Sequence, residues 1–219
     1  EDNGEMLSLH GSLANLPCER ACWTEEEGKF VIHTLIKDEV MFGRKFQFAR
    51  ELIVSTEKNE FEIHDTITNT SDKVQPMEIL YHMNIGYPLL DEDSVIEIPA
   101  AEVVARDDHA ANDIQNWMHM QKPTTGYQER CYYHKFADEN GKASIYQPKL
   151  NVGLEISFNA AELDGFVEWK MMGVRDYVLG LECGNCYPEG RNVMREKGML
   201  KFLKPGEKKE YRVKVRITE

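Results

Sequence analysis

A strict two-residue alternation of apolar and polar side chains constrains this chain more than any other feature. It is clearest in residues 210–217, where every second residue is apolar and the residues between are charged. Residues 151–158 alternate in the same way, and in residues 60–69 the apolar positions 61, 63 and 67 fall on one face. Because successive side chains of a β-strand point to opposite faces, these segments predict half-buried antiparallel strands.

The remainder of the chain supports an all-β interpretation. Further strands are predicted near residues 29–39, 46–56, 77–84, 129–135, 143–148, 166–172, 177–181 and 198–203. Clusters of turn-forming residues at 69–72, 138–141 and 204–207 separate some of them. Only 109–117 and 192–197 favour helix, for one or two turns each. The sequence has 219 residues, 42% of them hydrophobic, with no repeat or linker. It therefore predicts one domain, residues 1–219, built as a large antiparallel β-sandwich.

The charge balance excludes some classes of partner. Lys and Arg number 26 and Asp and Glu number 38, so the net charge is 26 − 38 = −12. Nucleic acids and anionic membranes reward clustered basic residues, so we expect neither as a partner. No apolar segment approaches the ~20 residues of a membrane helix. The chain opens at Glu1 without a methionine, and we expect that an N-terminal segment carrying further strands precedes it.

Five cysteines at irregular spacing do not suggest a disulfide framework, and a reducing cytoplasm is the expected compartment. Cys18 and Cys22 could combine with Cys183 and Cys186 in a four-thiolate zinc site. The loose spacing of the first pair favours reduced, partly buried thiols instead.

Glu182 is the first candidate for chemistry. It follows the apolar run 177–181 and precedes a cluster of turn formers at 184–190. The pattern predicts a buried strand that ends beside Glu182. A carboxylate at the lip of a strand is well placed to act as a general base.

A second dense motif, residues 81–88, also runs from a predicted strand into a loop. His82 and Asn84 are two residues apart and share one face of that strand. Histidine can exchange a proton near neutral pH, and an asparagine amide can bind hydroxyl groups. A core histidine held by backbone groups explains the pattern equally well, so both interpretations stay open.

Several weaker candidates have ordinary explanations beside the functional ones. His10 next to Gly11 could approach a ligand, or it could be an exposed histidine. Trp169 and Lys170 could stack on and donate to a sugar, or be a core tryptophan beside a solvated lysine. Gln128 and Glu129 follow a loop rich in turn formers and could be solvated.

Taken in order, these motifs resemble the aldose 1-epimerases, or galactose mutarotases. They match a divergent branch of that family more closely, through residues 9–15, 81–92, 169–171 and 180–186. The resemblance implies a galactose mutarotase-like β-supersandwich that lacks N-terminal strands here. The chain departs from the pattern at Ser12, where arginine is usual, at Gln128, where mutarotases have aspartate, and at Cys183, where the branch has proline.

The resemblance also implies roles for individual residues. Glu182 would be the general base and His82 the general acid of sugar ring opening, without a metal or organic cofactor. The residues that would bind a small sugar are His10, Asn84, Gln128 or Glu129, Trp169 and Lys170. We expect Glu182 and His82 to face one open cleft across a gap about one sugar ring wide, and the enzyme interpretation depends on this geometry. Two alternatives remain: a sugar isomerase or epimerase that removes a carbon-bound proton, and a non-catalytic carbohydrate-binding module.

Overall fold

The computed structural model describes residues 1–219, which form antiparallel strands and two short α-helices. The strands before the first helix are β1 (Arg20–Glu26), β2 (Lys29–Glu39), β3 (Lys45–Ser55), β4 (Glu60–Asn69), β5 (Gln75–Pro76), β6 (Leu80–Ile85), β7 (Val95–Glu97) and β8 (Glu102–Ala105). The later strands are β9 (Arg130–Lys135), β10 (Asn140–Gln147), β11 (Val152–Asn159), β12 (Gly165–Met172), β13 (Tyr177–Gly184), β14 (Phe202–Leu203) and β15 (Lys208–Thr218). The helices are α1 (Asp108–Ala111) and α2 (Arg191–Glu196). The all-β prediction is confirmed. No helix combines the length and apolar character needed to cross a membrane.

The bounds of two strands agree fully with the sequence prediction. The predictions for 29–39 and 60–69 coincide with β2 and β4. The strand predicted at 77–84 begins later, at Leu80. The strand predicted at 198–203 has only two residues. β1 was missed because it is exposed along its whole length, so burial imposed no alternation on it.

The chain divides into two compact units. The first comprises residues Glu1–Glu78 and Pro188–Lys214. Within it, β1, β2, β3 and β4 pair in chain order, and β15 lies next to β4. Its buried residues include Val31, Phe48 and Ile67, one from each of β2, β3 and β4.

The second unit comprises residues Ile79–Tyr187 and Val215–Glu219. Its larger sheet has the order β6-β13-β12-β9-β8, and β11, β10 and β7 are hydrogen-bonded beside one another. Phe158 of β11 stacks on Phe166 of β12 with ring centroids 5.6 Å apart, so the two groups of strands pack face to face. The five-stranded sheet therefore has an inner face, which includes Phe166, and an opposite face, here called the site face.

Candidate functional site

Glu182 lies within β13, not at the end of a strand. β13 continues to Gly184, which pairs with Leu80 at the start of β6. A Cβ atom at Gly184 would lie 2.6 Å from the carbonyl oxygen of Ile79, so only glycine permits this approach. Asn185 then accepts a hydrogen bond from the Ile79 amide at 2.8 Å and holds the loop against β6. The prediction that the turn formers end the strand beside Glu182 was therefore early by two residues.

Glu182 and His82 are direct cross-strand partners in the register of β13 and β6. The carboxylate Oε1 of Glu182 lies 3.1 Å from Nε2 of His82. The expected gap of one sugar ring is wrong, because opposed residues on neighbouring antiparallel strands have Cβ atoms only about 5 Å apart. The two side chains form a contact pair.

The carboxyl group of Glu182 is buried beside a histidine that reaches solvent. The side chain of Glu182 is 3% exposed, and that of His82 is 31% exposed. Burial, with a smaller contribution from the negative charge of Glu129, raises the pKa of Glu182 to about 8. The atom Oε1 has no hydrogen-bond partner of regular geometry, so its 3.1 Å approach to Nε2 of His82 is a close contact and not a regular hydrogen bond.

Gly180 makes room for this carboxyl group. A Cβ atom at Gly180 would clash with Oε1 of Glu182 and would lie 3.2 Å from Cβ of Trp169. The carboxyl group therefore folds back over Gly180, along its own strand. Sequence reasoning did not single out this glycine, which stands inside an apolar run.

Asn84 and Trp169 share the site face with the Glu182–His82 pair. Trp169 lies opposite Gly180, and Gly180 lies opposite Asn84, so the three form a row across β12, β13 and β6. The Trp169 ring meets His82 edge-on, with centroids 5.7 Å apart. Asn84 is exposed and Trp169 is half-buried. The structure thus brings together four residues that the sequence singled out.

Glu129, rather than Gln128, belongs to this cluster. Trp169 donates a hydrogen bond from Nε1 to Glu129 Oε2 at 2.7 Å. Gln128 is exposed before β9, and its only hydrogen bond is made by its backbone carbonyl, which lies 3.4 Å from a ring nitrogen of His109. Of the two residues that the sequence left open, Glu129 is the one that contacts the site face, and its role in binding sugar stays a prediction.

Lys170 does not belong to the site, and its predicted role in sugar binding is wrong. It follows Trp169 in the same strand, so its side chain points to the inner face. Its ammonium group donates to the backbone carbonyls of Asn116, Trp117 and His119 at 3.0, 2.9 and 2.8 Å. All three donors are used, and burial lowers the pKa of this lysine.

His10 lies in the first unit, in an exposed turn where φ is 64° at His10 and 69° at Gly11. Its role in binding sugar stays a prediction.

The cysteines are all free thiols. Cys18 and Cys22 are exposed, whereas Cys131, Cys183 and Cys186 are buried. No group of three or more His, Cys, Asp or Glu side chains is arranged to hold a metal ion.

Arg106 is a site residue that sequence reasoning missed. It follows β8 and donates to Glu129 Oε1 and to the thiol of Cys131, each at 3.0 Å. Cys131 lies opposite Trp169 in β9, and burial raises the pKa of its thiol to about 12. Nothing near Arg106 in the sequence signals this position, because its two partners at the site, Glu129 and Cys131, are more than twenty residues away.

Nearly the whole chain matches the model of one protein family. Residues 1–217 match the model of a family described as "Domain of unknown function (DUF4432)". The chain belongs to this family. No curated protein matches the chain.

Solved structures share the fold of this DUF4432 protein. A Klebsiella pneumoniae protein, provisionally named an aldose 1-epimerase, superposes with a TM-score of 0.92 at 24% identity. The match covers 99% of this chain but only 59% of that protein, so the chain spans well under two thirds of its length. A galactose mutarotase-related enzyme from Lactobacillus acidophilus gives a TM-score of 0.70 at 15% identity, covering 100% of this chain and 77% of that one. A galactose mutarotase-like protein from Clostridium acetobutylicum gives 0.68 at 17%, covering 93% and 66%. The fold is the galactose mutarotase-like β-sandwich, as the sequence resemblance implied.

Proposed function

We propose that this DUF4432 protein is a carbohydrate isomerase, specifically an aldose 1-epimerase that interconverts the anomers of a free sugar. The observation that carries the proposal is the buried, unsatisfied Oε1 of Glu182 beside the solvent-reaching ring of His82. Buried polar atoms in folded proteins are almost always hydrogen-bonded. A carboxylate oxygen left without a donor at the edge of an exposed face is suited to receive one from a bound hydroxyl group.

The reaction needs one proton acceptor and one proton donor. Glu182 removes the proton of the anomeric hydroxyl while His82 protonates the ring oxygen, and the carbon–oxygen bond of the ring breaks. Rotation about one carbon–carbon bond presents the other face of the carbonyl group. The same two residues, with their protons exchanged, close the ring on that face. Each positioned proton transfer contributes ~10²–10⁴-fold in rate.

From the sequence, the enzyme interpretation depended on a gap between the two residues, and the structure has a contact instead. That dependence was too strict, because the contact also suits this chemistry. The anomeric and ring oxygens of a cyclic sugar are bonded to the same carbon, so the acid and the base must act close together. Neighbouring strands are about 4.8 Å apart, which allows opposed side chains to reach both oxygens from one side. The sugar then lies over the pair instead of between its members.

Two further side chains of the site face suit a sugar. The exposed amide of Asn84 can donate to and accept from hydroxyl groups. The half-buried ring of Trp169 offers an apolar surface to the carbon–hydrogen side of a pyranose. Both lie in the row that contains Gly180, two register positions from the row of Glu182 and His82.

The test is the rate at which a freshly dissolved α-sugar reaches anomeric equilibrium, followed by NMR across hexoses, pentoses and deoxy sugars. We expect the wild-type protein to accelerate at least one sugar and Glu182→Gln to lose ~10²-fold or more of that acceleration. Glu139→Gln, at an exposed turn of the second unit, is the matched control and should retain it.

The same experiment separates the alternatives. Solvent deuterium at a carbon of the product would indicate removal of a carbon-bound proton and a different isomerase. A sugar that binds without faster equilibration would indicate a binding module. Either result would overturn the proposal.

A further inference from the structure

The guanidinium group of Arg106 donates hydrogen bonds to three other side chains. Its Nη2 donates to Glu129, its Nη1 to the thiol of Cys131 and its Nε to Asp107, all at 3.0 Å. Its side chain is 28% exposed. A guanidinium group with its three nitrogens engaged in this way is immobilised, and it is poorly suited to clamp a substrate.

The hydrogen bonds continue from Arg106 to the acid/base pair. Glu129 uses one oxygen for Arg106 and the other for the indole nitrogen of Trp169. Each oxygen of Glu129 thus accepts one hydrogen bond from the protein, and Glu129 links the guanidinium group of Arg106 to the tryptophan.

Trp169 in turn borders both members of the pair. Its ring lies edge-on against His82 at 5.7 Å. Its Cβ lies beside Gly180, the residue over which the Glu182 carboxyl group folds. A shift of the indole would remove the lateral support of the His82 ring and open space beside Glu182.

We propose that Arg106 is a positioning residue, which acts through Glu129 and Trp169 to hold His82 and Glu182 in their mutual contact. The catalytic consequence rests on the proposed function, whereas the positioning itself does not require it. Displacement of a reacting group by about 1 Å can cost ~10²-fold in rate, so support at this distance matters for chemistry.

The charges of the same groups also reach Glu182. The titratable or charged side chains near it are His82 on β6, Cys131 on β9 and Glu129 just before β9. Arg106 is hydrogen-bonded to the last two. The negative charge of Glu129 raises the pKa of Glu182, and Arg106 partly offsets that charge by pairing with it. Loss of Arg106 and loss of Glu129 should therefore move the titration of Glu182 in opposite directions.

The experiment compares Arg106→Met and Glu129→Gln with the wild-type protein. The control is Arg216→Met, because Arg216 also pairs with a glutamate at 3.0 Å but lies away from the site face on β15. One readout is NMR titration of the Glu182 carboxyl carbon and of the Trp169 indole N–H, which needs no substrate. The other is the pH profile of anomerisation.

We expect Arg106→Met to shift the indole signal and raise the Glu182 pKa, and Glu129→Gln to shift the indole signal and lower that pKa. Arg106→Met should also reduce kcat by ~10-fold or more with little change in KM. An indole signal unchanged in Arg106→Met, or equal shifts in all three variants, would overturn the positioning role. If the NMR shifts appear while the wild-type protein shows no anomerisation, the positioning stands and the proposed function fails.

Discussion

Glu182 and His82 face each other across neighbouring antiparallel strands, with 3.1 Å between Oε1 and Nε2. They are separated by a hundred residues in sequence, yet their contact is built into a strand register that also aligns Gly180 with Asn84. Residues in direct contact respond to substitution together, so a change in one side chain also alters the surroundings of the other. The pair is therefore best tested by changing its surroundings as well as its members.

We expect Gly180→Ala to reduce activity by ~10-fold or more without unfolding the protein. The new methyl group would take the place of the Glu182 carboxylate and turn it away from His82. The measurement is the anomerisation rate together with the far-UV spectrum. Gly86→Ala is the matched control, because a Cβ there meets only the Tyr177 carbonyl, at 3.9 Å. A fully active Gly180→Ala protein would contradict the assigned position of the carboxyl group.

The stability of the fold should depend on pH through Glu182. Its pKa rises from 4.5 to about 8 on folding, so the folded state retains a proton that the unfolded state releases. The stabilising contribution is complete below pH 4.5 and is lost as the pH rises through about 8. The free energy of unfolding of Glu182→Gln, measured in urea, should therefore increase relative to that of the wild type as the pH rises from 5 to 9. A difference that stays constant with pH would show that Glu182 is not protonated in this way.

Lys170→Met should destabilise the protein by about 2–4 kcal/mol. Methionine fills similar space but leaves three backbone carbonyls without the ammonium group that binds them. Urea denaturation gives the measurement, and the exposed Lys204→Met should change stability by no more than about 0.5 kcal/mol. Unchanged stability with weakened sugar binding would restore the ligand-binding role that the structure argues against.

Asn69→Asp should destabilise the first unit by about 1–3 kcal/mol. The buried amide donates to the carbonyls of Lys73 and Leu203 at 2.7 and 2.9 Å, and its oxygen accepts from Ser71. A carboxylate keeps the acceptor, loses both donors and places a charge where the side chain is fully buried. Thermal unfolding compared with the exposed Asn15→Asp variant provides the test. Equal melting temperatures for the two variants would contradict this account.

The sequence anticipated the strands that alternate, and it also named most of the residues of the cluster on the site face. The strands could be predicted for a local reason. A half-buried strand needs an apolar side chain at about every second position, so β4, β11 and β15 could be predicted without tertiary information. β1 left no such pattern, because nothing in the structure buries it. The placement of Lys170 was an avoidable error, since adjacent residues of one strand cannot share a face.

The sequence by itself determined the all-β class, the resemblance to mutarotases and the pairing of Glu182 with His82 as candidates. Only the tertiary structure decided that the two touch, that Gly180 makes room for the carboxyl group, and that Arg106 joins the cluster through Glu129. The physical reason is that alternation depends on neighbours along one strand. Strand register and side-chain contact depend on which distant strands pair, and β6 and β13 carry no local signal of their alignment.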